Sequence, residues 1–114
     1  MNIRIISSPI SKTEALEIGK EFYGDMIKGA VDIEKGVIAL GGEYHMDANM
    51  TLIKNGSLQK DIWGFNLYPG LGVDEWIDYT ALINIRPLAK NRNMAIEDER
   101  IRVKIKETIE KLII

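Results

Sequence analysis

The chain has 114 residues, of which 46% are hydrophobic and 28% charged, with a net charge of −2 and no cysteine. That suits one soluble domain able to bury its own core, and it excludes disulfides, thiolate chemistry and cysteine-based metal sites. One histidine excludes a multi-histidine cage within a single chain, and the weak net negative charge argues against general affinity for nucleic-acid backbone.

Residues 2–6 are short, β-branched and closed by Ser7-Ser8-Pro9, which predicts a strand. Ser11 to Glu14 has the form of a capping box, and apolar residues at helical spacing follow from Ala15 to Ile27, with Gly29 as the stop. Residues 30–33 and 37–40 predict two further strands about a turn at Glu34-Lys35-Gly36, and Gly41-Gly42 marks a bend. No apolar run reaches membrane-spanning length and no signal peptide is evident, so a cytoplasmic protein is expected.

From Glu43 the pattern alternates. Tyr44, Met46, Ala48, Met50 and Leu52 interleave with Glu43, His45, Asp47, Asn49 and Thr51, which predicts a strand with one polar face. A helix over 47–54, capped by Asp47 and ended by Asn55-Gly56, is the competing reading. On the strand reading Asn55-Gly56 turns a hairpin. Its register sets Ala48 opposite Trp63, Met46 opposite Phe65, Tyr44 opposite Leu67 and His45 opposite Asn66. Residues 82–86 predict another strand, stopped by Pro87, and a helix led by Glu97, Asp98 and Glu99 packs through Ile101, Ile105, Thr108, Ile109 and Leu112. The expected fold is a single α+β domain over 1–114. A mostly antiparallel, twisted sheet carries an N-terminal and a C-terminal helix on one face.

On this reading His45 and Asp47 leave one strand on the same side, facing Asn66, with Asn84 and Arg86 alongside. Such a face suits a small anionic ligand, oriented by Asn66, Asn84 and the Arg86 guanidinium. His45 with Asp47 would supply acid–base chemistry. Each position also has a plain structural role: a solvated His45 and Asp47, amides that satisfy loop backbone, and an arginine paired at the surface.

The segments GGEYHMDA, LQKDIWGFNLYP and LINIRP followed by Asn91-Arg92 resemble a family of short prokaryotic proteins that share an uncharacterised domain. Its motifs are GGE-x-H-x-D, Q-x-x-x-WG-x-N-x-YP and INIRP…NR. The resemblance spans the chain from about residue 30 to the last helix and implies no activity, substrate or cofactor. It draws Gln59 and Asn91 into the candidate set and adds weight to Arg92, which with Lys90 already stands just ahead of a helix N-terminus as a second anion-friendly feature. Three functional readings follow: a domain binding a small anionic ligand; a hydrolase or nuclease-like enzyme with His45 as acid/base and Arg86 or Arg92 stabilising negative charge; and a structural module, a homodimer included, suggested by the apolar end Leu112-Ile113-Ile114.

Overall fold

The structure is a computed structural model that describes residues 3–114. Five strands form one antiparallel sheet: β1 (Arg4–Ile6), β2 (Ile27–Asp32), β3 (Val37–Leu40), β4 (Ile62–Leu67) and β5 (Ile77–Asp78), in the order β1-β3-β2-β4-β5. Residue 2 of the expected first strand lies outside the described residues. Helices α1 (Lys12–Gly19), α2 (His45–Lys54) and α3 (Glu99–Leu112) complete the α+β fold, and short 3-10 turns lie at Gln59–Asp61, Leu82–Asn84 and Pro87–Ala89.

Period-two alternation divides the sheet into two faces. Ile27, Val31, Ile38, Leu40, Trp63, Phe65 and Leu67 face one core, which α1 closes with Ala15 and α3 with Ile105, Ile109 and Leu112. The N-terminal and C-terminal helices therefore share a face, as expected. Ala30, Ala39 and Ile62 face the other side, where α2 lays down Ala48 and Leu52. The small residues on that side let the helix approach closely.

α1 is shorter than its apolar period predicts. Ser11 caps it, its side chain accepting from the Glu14 amide at 3.1 Å, but the helix ends at Gly19. Ile27 and Lys28 enter the central strand instead, and Ile27 packs where a Gly19 side chain would stand. Pairing on both edges of β2 outweighs helix propensity here.

The strand expected from Glu43 is a helix. Its buried positions, Ala48, Asn49 and Leu52, with His45 and Ile53 half-buried, follow the i, i+3, i+4, i+7 rule. The alternating methionines Met46 and Met50 fall on its exposed side. Asp47 caps it, its carboxylate accepting from the Tyr44 amide at 3.0 Å. Asn55-Gly56 ends the helix and turns no hairpin. Gly56 sits at φ 101°, its amide donates to the Ile53 carbonyl, and the Ser57 amide donates to that of Leu52, which is a Schellman stop. The predicted pairing of 44–48 with 63–67 is thereby replaced. β4 pairs with β2, setting Val31 opposite Trp63, Gly29 opposite Phe65 and Ile27 opposite Leu67.

Residues 82–86 are a 3-10 turn followed by an extended residue, not a strand; the short strand beside β4 is Ile77–Asp78. Of the apolar C-terminus, Leu112 and Ile113 are core and Ile114 is exposed. Ile113 pairs with Ile10 in a parallel bridge and is 2% exposed. Among the described residues no helix is long and apolar enough to cross a membrane.

Candidate functional site

One row of side chains crosses the sheet on the α2 side. Lys28 of β2 stands opposite Asn66 of β4, and Asn66 opposite Asp78 of β5. Neighbouring strands lie about 4.8 Å apart, so the three groups form a contiguous polar row. His45, the first residue of α2, reaches down onto it. Its Nε2 lies 2.8 Å from the Asn66 side-chain oxygen and 3.0 Å from the Phe65 carbonyl.

The amide of Asn66 is oriented by its other end. Its nitrogen donates to the Asp78 carboxylate at 2.9 Å and to the Thr80 carbonyl at 3.2 Å, and the Thr80 hydroxyl donates to Asp78 at 3.0 Å. With the nitrogen facing two acceptors, the Asn66 oxygen must face the imidazole. His45 Nε2 then faces two acceptors and carries the proton, which leaves Nδ1 as a lone-pair acceptor. Among the described residues Nδ1 has no partner. Burial pushes the His45 pKa below its ordinary 6.5. The Asn66 hydrogen bond opposes this, and the Lys28 ammonium adds to the lowering.

Lys28 lies over the Tyr23 ring at 4.9 Å and the Tyr44 ring at 5.8 Å. Among the described residues no carboxylate is within ion-pair distance of it. Lys28, His45, Asn66 and Thr80 floor a cleft of about 590 Å³. Its walls are Met26, Tyr44, Met46, Tyr68, Leu82, Ile83 and Met94, so a polar floor sits beneath flexible apolar sides.

The predicted site residues divide among several places. His45 and Asn66 meet as expected, though from a helix terminus and a strand rather than two paired strands. Asp47 lies two residues along α2 and caps the helix, away from the His45 ring's partners. Asn84 is fully buried. Its side chain accepts from the Gly64 amide at 2.8 Å and donates to the carbonyls of Gly64, Tyr79 and Met94, filling the edge of β4 that the two-residue β5 leaves uncovered. Gly64 allows this approach, because a Cβ there would stand 2.6 Å from that of Ala81. Asn91, also buried, donates to the carbonyls of Asn84, Asn93 and Ala95 and accepts from the Glu97 amide. Gln59 forms a reciprocal amide pair with Asn49, both bonds at 2.7 Å.

Arg86 donates to the carbonyls of Ile83, Gln59 and Ile62 and stacks 4.8 Å from the Trp63 ring. It grips β4 at Ile62, three residues or about 10 Å along the strand from Phe65, where His45 binds. Arg92 is exposed in the following loop and does not line the cleft. Neither arginine is placed to stabilise charge beside His45. Sequence reasoning missed Lys28, Asp78 and Thr80. The pairing of β2 with β4 would have revealed the first, but Lys28 was assigned to a helix.

A family model described as a protein of unknown function, DUF5674, matches residues 4–112. The chain belongs to that family. No curated protein and no solved structure matches it. In this DUF5674 chain the three motif segments meet in space. The first supplies His45 and the Asp47 cap, the second Gly64 and Asn66, and the third the Asn84 amide that seals Gly64.

Proposed function

We propose that this protein is a small-ligand-binding domain, and that its cleft takes a compact organic anion with an apolar body. The observation that carries the reading is the pairing of an ammonium without a carboxylate partner, Lys28, with the free acceptor Nδ1 of His45 under apolar walls. Lys28 would receive a carboxylate or phosphate. Nδ1 would receive an O–H or N–H on the same molecule, as in a hydroxy or amino acid. Met26, Met46 and Met94 adapt to the remaining surface.

The test is thermal unfolding against a panel of small hydroxy acids, amino acids and phosphomonoesters. A ligand present at 100 times its Kd adds about 2.7 kcal/mol, which is readily seen in Tm. Lys28→Met and His45→Asn should keep the ligand-free Tm within a few degrees and lose the ligand-induced rise. A rise that persists in Lys28→Met, or no rise with any member of the panel, sinks the reading.

A further inference from the structure

Residues 79–96, which give the cleft its walls Leu82, Ile83 and Met94, contain Arg86, Lys90 and Arg92 and no aspartate or glutamate, within a chain of net charge −2. The same segment exposes large apolar side chains. Leu82 is 70% exposed, Leu88 is fully exposed, and Ile85 and Met94 are above 40%. Exposure of this kind usually accompanies loose structure, yet this segment is tightly fixed. The buried amides of Asn84 and Asn91 hold it from within, and a backbone pair joins Arg86 to Asn91. Lys90 at φ 60° takes the left-handed conformation that ends the Pro87–Ala89 turn.

Beside Leu88 lies a groove of about 460 Å³, floored by Ile85, Pro87 and Ala89 and flanked by Lys60 and Arg86. The Arg86 guanidinium binds three carbonyls, but carbonyls are neutral and leave its charge uncompensated. Among the described residues no carboxylate lies within ion-pair distance of Arg86, Lys90 or Arg92. Burial draws the Arg86 pKa down, without approaching neutrality in the physiological range.

We infer that residues 85–92 form a docking knuckle for an acidic segment of another protein, one that carries a large apolar side chain. The apolar residue would seat against Ile85 and Leu88, with flanking carboxylates facing Arg86, Lys90 and Arg92. Charge complementarity selects this occupant, since Arg86, Lys90 and Arg92 would repel a basic partner, and only Lys60 of the flanking cations is already paired, to Asp61 at 3.2 Å. The preformed loop limits the ordering entropy lost on binding. Ile85, Leu88, Lys90 and Arg92 do not line the His45 cleft.

The probe is a fluorescein-labelled twelve-residue peptide in which Glu and Asp flank one Leu and one Phe. Two controls replace the apolar pair by Ser, or all acids by Lys. Titration by anisotropy should give saturable binding of the acidic-apolar peptide, at least tenfold tighter than either control and weakening as salt screens the charges. Leu88→Ser and the double variant Lys90→Glu/Arg92→Glu should each weaken it at least tenfold with Tm unchanged, all three positions being exposed. Equal binding of the Ser control, full binding by Leu88→Ser, or no saturable binding would overturn the inference. So would self-association of the protein that these same substitutions abolish, because the occupant would then be a second copy of the chain.

Discussion

The imidazole of His45 is fixed at one nitrogen and open at the other, and this makes its titration directional. Protonation must occur at Nδ1, because Nε2 already donates to Asn66 and Phe65. The new charge then arises in a half-buried setting near Lys28, which is why the folded state holds the pKa below 6.5. Between that lowered value and 6.5 the unfolded chain binds more protons than the folded one, so stability falls as pH drops through this window and is complete above it. Thermal unfolding of the ligand-free protein should therefore show a lower Tm at pH 5 than at pH 7.5, and His45→Asn should reduce that difference. An unchanged difference in the variant would assign it to carboxylates elsewhere. At this scale the sequence set His45 beside Asn66, and the two side chains do meet, though through a helix terminus rather than a hairpin. It gave Asp47 the wrong neighbours, because residues two apart share a strand face but not a helix face.

At the scale of elements, the errors have physical causes that can be named. Alternating apolar residues from Tyr44 to Leu52 satisfy a strand period only because two methionines sit on the solvent side of α2. Asn-Gly serves a type I′ hairpin and a helix stop equally well, since both require positive φ. The segment at 82–86 is β-branched but is held in a tight turn by the side chain of Asn84, a tertiary contact that local pattern does not encode. That amide stands in for a missing strand along β4. Asn84→Ala would leave the buried N–H and C=O of Gly64 without these partners, at a cost of about 3 kcal/mol. Chemical denaturation should show the midpoint falling at unchanged slope. A loss below about 1 kcal/mol would mean that the loop relaxes onto β4 without it.

Across the whole molecule, the α+β class, the antiparallel sheet and the shared face of the first and last helices were legible from pattern alone. Strand order was not, because the partner of β4 is β2, and Val31 and Trp63 meet across 63 − 31 = 32 residues of chain. The polar row of the cleft depends on that distant pairing. The turn joining β2 to β3 is different in kind. The Asp32 carboxylate accepts from the Glu34 and Lys35 amides at 2.9 Å, and Gly36 at φ 67° completes the reversal, all within five residues. Of the contacts the sheet needs, these are the ones a growing chain can make first, before β4 has left the ribosome. Closing a 32-residue loop costs more chain entropy than closing this turn, so the hairpin is expected in the folding transition state and the Asn84 seal after it. Gly36→Ala, where a Cβ meets no atom within 4 Å and the cost is purely one of φ, should slow refolding. Asn84→Ala should chiefly speed unfolding, and stopped-flow chevrons in which the two substitutions exchange these effects would refute the order. The hairpin is then a clock as well as a scaffold: it sets when the cleft can exist.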